Sequence, residues 1–399
     1  MNYQFRSEVR NAKKAAMGEM FNLAKQYLQD GDKLINFASG HPSTEVFQDE
    51  MIKKYMNLAM EEADKELFQY GAHAGYMPLR RTLGRFVNEK GSIVKHDDDL
   101  IITYGSTEAV FLTASAFVNQ GDKVIVEVPS YVNAIKAFQL LGGDLIGVHI
   151  ESDGVNLEEL ENAMKQGAKL FYTIPNFGNP SGITMNYQKR KAVYELGIKY
   201  GVPIMEDDIY GSLRYRNSRL PCIKEFDTEG VVIYVSSISK VIAPAMRIGY
   251  MVANEEFIKR IISIKAVSTN GVTSIIQYAL WKMFEENDIY AQIQKICDVY
   301  AKKLFLMEEC MDRHFAQTVR RSSPDGGMYI WVTLPKGADV REFCEESAVQ
   351  LHIPITPGNE FCVTEPENCT SMRFNFAKES MEDIAYGIEQ VGDLMKKRL

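Results

Sequence analysis

Lys240 stands just past the apolar run VVIYV, in Ser236-Ser237-Ile238-Ser239-Lys240, among hydroxyls and with few charges nearby. Such a lysine is desolvated, which disfavours its ammonium form and suits it to form a Schiff base. For any single lysine a plain surface charge is still the commoner role. Arg247 follows seven residues later, at the start of another apolar run, where it can clamp a phosphate through paired hydrogen bonds. Asp207 and Asp208 follow the run VPIME. Two adjacent acids there are costly unless one is paired, and a protonated ring nitrogen would supply the pairing. The simpler reading is a helix cap followed by a solvated acid. Gly105-Ser106-Thr107 follows LIITY and opens a helix. Its N–H groups and hydroxyls suit a phosphate, although by itself an ordinary Ser/Thr cap is favoured. Tyr131, after KVIVEV, can stack on a flat heterocycle or simply pack at a layer edge. Asn179, in the turn-rich PNFGNPSG, offers an amide to a ligand. Arg373 alternates with apolar residues in MRFNF. On residue types alone it reads as a structural ion pair, with a carboxylate receptor as the alternative.

These residues need a scaffold that brings distant chain positions together. The apolar runs LIITY (100–104), KVIVEV (123–128), LIGVHI (145–150), KLFYTI (169–174), VPIME (202–206), VVIYV (231–235) and IGYMVA (248–253) read as strands. Helical patterns lie at 51–64 and 78–89 ahead of them and at 107–118, 131–141, 157–165 and 186–200 between them. Val/Ile-rich strands alternating with helices predict an α/β fold with a mainly parallel seven-stranded sheet covered on both faces. Ligands of such sheets bind beyond the carboxyl ends of the strands, where most of the residues above lie. After about residue 255 helices dominate, including one near 288–314. Strands at 327–334 and 371–377 and helices at 339–350 and 380–397 then predict a smaller α+β lobe. The expected division is 46–295 for the large domain and 296–399 for the small one, joined by the N-terminal segment 1–45. Within that segment 13–29 reads as an amphipathic helix ended by Gly31.

Composition narrows the function classes. The 399 residues are 46% hydrophobic and 25% charged, which argues against disorder and fibrous structure. A net charge of -8 disfavours a nucleic-acid surface. No run is long enough for a membrane span and the start lacks a secretory apolar stretch, so a cytoplasmic location is expected. The six cysteines form no C-x-x-C pair and read as reduced, packed thiols; the six histidines form no ligand pattern, so no metal is expected.

The order of the motifs is more specific than any one of them. NPSG, DDIY, SISK with Arg247 seven residues on, and the late R-F-N-F strand resemble the class I/II pyridoxal-phosphate (PLP) aminotransferases of fold type I. The likeness runs from about residue 34 to the C-terminus, and the Asn179–Asp207–Lys240 spacing is similar to the kynurenine/2-aminoadipate aminotransferase branch. The resemblance implies that Lys240 carries PLP and that Asp207 pairs with its ring nitrogen. It implies that Tyr210 and Asn179 bind the ring oxygen and that Tyr131 stacks on the ring. Gly105, Ser106, Thr107, Ser237, Ser239 and Arg247 would hold the phosphate, with Tyr70 reaching it from a neighbouring subunit of a homodimer. Arg373 would take the substrate carboxylate, helped by Gly40 and Asn179.

Gly178, Ile209, Ser181 and the segment GHPSTEVFQDE depart from the usual family pattern near the substrate entrance. His41 lies there, though a loop histidine is more often incidental. The expected activity is transfer of an amino group from an aromatic, large aliphatic or 2-aminoadipate-like L-α-amino acid to a 2-oxo acid such as 2-oxoglutarate. A C–S β-lyase on the same fold is the alternative enzyme. A ligand-sensing module is the reading from another class, disfavoured because only about 33 residues precede the first family-like segment.

Overall fold

All seven apolar runs form strands of one sheet in a computed structural model that describes residues 3–11 and 18–398. In chain order these are β1 (Leu100–Thr103), β2 (Lys123–Val128) and β3 (Asp144–Glu151), then the short β4 (Gly154–Val155). They continue with β5 (Leu170–Thr173), β6 (Ile204–Asp207), β7 (Val232–Ser237) and β8 (Gly249–Val252). The spatial order is β1-β8-β7-β6-β5-β2-β3-β4. The run β7-β6-β5-β2-β3 is parallel, and β8 lies antiparallel between β1 and β7. β4 is an eighth strand that pairs antiparallel with β3. At two residues it is too short to leave a periodic signal.

Burial follows the alternation of side chains along each strand. Met205 of β6 packs with Val126, Tyr172 and Val235 on one face, under the helices Gly105–Phe117, Val132–Leu140 and Glu255–Ser268. Ile204 packs with Ile125, Phe171 and Val232 on the other, under Leu157–Lys165 and Tyr187–Tyr200. Covering both faces is why these strands read as unbroken apolar runs.

A second sheet holds β9 (Arg320–Arg321), β10 (Tyr329–Thr333), β11 (Thr356–Pro357) and β12 (Ser371–Asn375) in the order β11-β12-β10-β9, with every pairing antiparallel. The long helix Ile289–His314 packs on the last helix, Met381–Arg398, beside this sheet. The N-terminal segment joins the same region: Asn375 N–H donates to the Phe37 carbonyl, and Phe37 packs against Phe374. The described part of the amphipathic N-terminal stretch is the helix Glu19–Tyr27; positions 13–17 of that expectation lie outside the described residues. One apolar cluster links the two regions, running from Met20 through Tyr210 and Tyr329 to Met395.

Among the described residues all six cysteines are free thiols, no group of three potential metal ligands exists, and no helix is long and apolar enough to cross a membrane.

Candidate active site

The carboxyl ends of the parallel strands open into a cavity of about 400 Å³. Ten of the residues singled out from the sequence line it: Gly40, Ser106, Thr107, Tyr131, Asn179, Tyr210, Ser237, Ser239, Lys240 and Arg247. They come from chain positions 200 residues apart, and the strand ends account for that convergence.

Lys240 ends a short turn directly after β7, and its Nζ donates to the Gly40 carbonyl at 2.9 Å. Desolvation lowers its proton affinity, and the positive charges of Arg373 and Arg247 add to that. The Ser237 and Ser239 hydroxyls lie 2.8 Å apart. Ser106 sits in the first turn of the helix Gly105–Phe117 and is buried, while Thr107 is exposed at the rim. Gly105 has φ +69° and a Cβ there would lie 2.8 Å from Arg247 Nη2. Only glycine lets the guanidinium approach this closely without strain. Arg247 Nη2 donates to the Tyr104 carbonyl at 3.1 Å.

Asp207 lies beneath the cavity at the end of β6, 1% exposed. Its Oδ2 accepts from the Tyr172 hydroxyl at 2.7 Å, while Oδ1 is buried without a hydrogen-bond partner. Burial pushes its pKa up to about 7. Asp208 faces the opposite way, as strand alternation requires. It is not the solvated acid that residue type suggested: it is buried, and its carboxylate accepts from Asn176 Nδ2 at 2.7 Å and the Tyr234 hydroxyl at 2.9 Å.

Arg373 is fully buried on β12. It donates to Asn179 Oδ1 at 2.9 Å and to the Ala38 carbonyl at 2.8 Å, and Nε has no partner. The guanidinium lies 4.3 Å over the Tyr329 ring and 5.1 Å over that of Phe361. No carboxylate pairs with it among the described residues, which corrects the ion-pair reading favoured on residue type alone. Tyr70 lies apart from the cavity and is 83% exposed.

Sequence reasoning missed two tyrosines. Tyr172 holds Asp207, and Tyr329 underlies Arg373 with its hydroxyl 3.4 Å from that of Tyr210. Strand register, which only the fold supplies, is what reveals Tyr329. It pairs with Asn375 while Arg373 pairs with Trp331, which places Tyr329 and Arg373 on one face. His41, Ile209, Pro244 and Ala245 complete the lining.

The donor set fits PLP: a lysine of lowered basicity, an unpartnered buried carboxylate oxygen, and a glycine-cleared cradle beside an arginine and paired serines. Fold and site together define a pyridoxal-phosphate-dependent transferase of amino groups. Comparison with known families agrees, since residues 32–391 match the model for aminotransferase class I and II. The chain belongs to that family. It is similar to an aromatic-amino-acid aminotransferase of Thermococcus litoralis, 32% identical with 93% of this chain and 90% of the relative covered. A Pyrococcus horikoshii kynurenine aminotransferase solved with PMP and kynurenine superposes with a TM-score of 0.92 at 31% identity, covering 99% of this chain and 97% of that one. The α-aminoadipate aminotransferase of Thermus thermophilus, solved with N-(5'-phosphopyridoxyl)-L-leucine, gives 0.88 at 26% identity, covering 98% and 97%.

Proposed function

We propose that this aminotransferase moves the amino group of an aromatic, large aliphatic or 2-aminoadipate-like L-α-amino acid to a 2-oxo acid such as 2-oxoglutarate. The observation that carries the reading is Arg373: a fully buried guanidinium with an unpartnered Nε and no acidic partner among the described residues. Such a group is costly unless a substrate supplies the missing anion. The aromatic, kynurenine and aminoadipate relatives supply the donor classes.

Each residue has a distinct task in this reading. Arg373 and Asn179, with the backbone at Gly40, bind the substrate α-carboxylate and so orient the Cα–H bond. Lys240 carries the cofactor at rest. Once released, its amine would take the proton from the substrate Cα as base and, as acid, deliver it to the cofactor carbon that had held the lysine. Bound PLP supplies the electron sink for that proton transfer. Asp207 Oδ1 keeps a proton on the ring nitrogen, while Tyr210 and Asn179 hydrogen-bond the ring oxygen and Tyr131 covers the ring face. Ser106, Thr107, Ser237, Ser239 and Arg247 hold the phosphate, with Gly105 leaving the room for it. The exposed Tyr70 is assigned to the phosphate of a second subunit in a homodimer, and the cytoplasm is the expected location.

The test is incubation with PLP, 2-oxoglutarate and a panel of amino acids, with glutamate and pyruvate measured separately. Glutamate formation with the named donors supports transamination. Pyruvate and ammonia from cysteine conjugates without an added 2-oxo acid would select the β-lyase instead. Lys240→Ala protein is expected to lose the borohydride-reducible link to PLP.

A further inference from the structure

Behind the strand ends, on the side that Asp208 faces, lies a second cavity of about 730 Å³. It is bounded by the loop after β6, the end of the helix Met77–Asn88 and the start of the helix Ile289–His314. Its volume falls in the range of roughly 300–1,000 Å³ usual for small-molecule sites. Asp208 and Tyr234 lie on its wall, and both carboxylate oxygens of Asp208 already accept hydrogen bonds.

Four cations reach this cavity, and they differ in what neutralises them. Arg216 is paired with Glu308, and Arg219 with Glu225. Arg214 is poorly satisfied. Its Nε is buried without a partner, its Nη2 reaches Asn176 Oδ1 only at 3.3 Å, and its carboxylate neighbour Asp325 stands 3.8 Å from Nη1. Lys90 has no carboxylate partner among the described residues, and its ammonium lies 4.3 Å over the Tyr290 ring. Glu89 is also on the lining without forming an ion pair to Lys90. Burial disfavours the charge on Arg214, while Lys90 keeps access to solvent. The cavity therefore combines an arginine with an unpartnered buried Nε, resting 4.7 Å over the Phe177 ring, and a solvent-facing lysine without a carboxylate partner, with an aromatic wall where Phe86 stacks on Tyr290 at 4.7 Å.

We propose that this cavity binds a small organic anion, a carboxylate or phosphate ester with an apolar or aromatic body, between Arg214 and Lys90. The site is distinct from the catalytic cavity, and its lining residues adjoin those of that cavity along the chain. Asn176, which touches Arg214, begins the loop that carries Asn179, and Asp208 adjoins Asp207. An anion drawing on Arg214 thus acts on Asn176, whose Oδ1 accepts from both Arg214 and Arg190.

The test is calorimetric titration of the PLP-loaded enzyme with three probes: inorganic phosphate, benzoate and phenyl phosphate. Beyond any occupancy at Arg373, phenyl phosphate or benzoate is expected to saturate one further site per chain, which Arg373→Lys leaves intact, and to bind there more tightly than inorganic phosphate, because only they reach the aromatic wall. The tighter of the two identifies the source as phosphate ester or carboxylate. Arg214→Gln and Lys90→Gln should each weaken binding about tenfold or more, as loss of a charged hydrogen-bond donor does, and Arg214→Lys should weaken it less. Lys90 is exposed at a helix end, so Lys90→Gln and Lys90→Glu decide the matter even if Arg214→Gln fails to fold. Wild-type affinity in the Lys90 variants would place the anion elsewhere, and no saturable binding below about 10 mM, the weak end of specific association, would overturn the site.

Discussion

Replacing Asp207 by Asn should separate the cost of its charge from the use of that charge. In the protein without PLP the carboxyl is 1% exposed, with one oxygen unpartnered, and burial raises its pKa from the ordinary 3.8 to about 7. The folded state then binds more protons than the unfolded chain between those values. The sign follows: Asp207 leaves stability intact below about pH 4 and reduces it progressively as pH rises through about 7. Three powers of ten in proton affinity are worth about 4 kcal/mol at most. Asn keeps the shape and the acceptor for Tyr172 but cannot ionise. PLP-free Asp207→Asn protein should therefore be more stable than wild type at pH 8 by about 2–4 kcal/mol, with the difference shrinking toward pH 5. Glu127 and Glu206, both buried and raised to about 7, are common to the two proteins and cancel in the comparison. In the loaded enzyme the order reverses. On the proposed role, losing the buried charge partner of a cationic ring nitrogen costs about 3–5 kcal/mol, or about 10²- to 10⁴-fold in turnover. Urea unfolding at pH 5 and pH 8 and amino-acid-dependent glutamate formation measure the two halves. Equal pH slopes for the two PLP-free proteins, or undiminished turnover by the variant, would refute the reasoning.

Arg373→Lys should raise the KM for the amino acid about 10- to 100-fold, because an ammonium cannot replace a two-pronged guanidinium contact, while PLP absorbance titrations stay unchanged. Gly105→Ala should weaken PLP binding about tenfold: the φ of +69° costs an L-residue about 1–2 kcal/mol, and its Cβ meets Arg247. Spectrophotometric PLP titration reads this, and wild-type affinity would show that the cradle tolerates the methyl. Tyr70→Phe should lower PLP affinity only if two chains share each site; unchanged affinity removes the cross-subunit assignment.

The main sheet was legible because strands buried on both faces must be apolar throughout, and helices of clear 3.6-residue period lie between most of them. β4, β9 and β11 were not legible, since two-residue strands carry no period. Lys240 and Asp207 could be found by their place at strand ends, and Arg247 by its place seven residues after Lys240, just ahead of β8. Arg373 could not be judged by type, because an ion pair and a carboxylate receptor look identical until the neighbours are known. The tyrosines were hidden for the same reason: Tyr172 and Tyr329 matter through the residues beside them on adjacent strands, and register is a tertiary fact. Asp208 was misjudged because its partners come from other segments, Asn176 from the loop after β5 and Tyr234 from within β7.

Arg373 is held by neutral groups, the Asn179 amide oxygen and the Ala38 carbonyl, with aromatic rings beneath it. An arginine fixed this way is oriented without being neutralised. Its counter-ion must come from the surrounding solution, and a focused positive potential in a cleft concentrates whatever small anions the buffer holds. In the proposed role of Arg373, a carboxylate substrate then competes with mobile ions instead of breaking a fixed internal pair. Choice of buffer anion thus becomes part of the enzyme's apparent affinity.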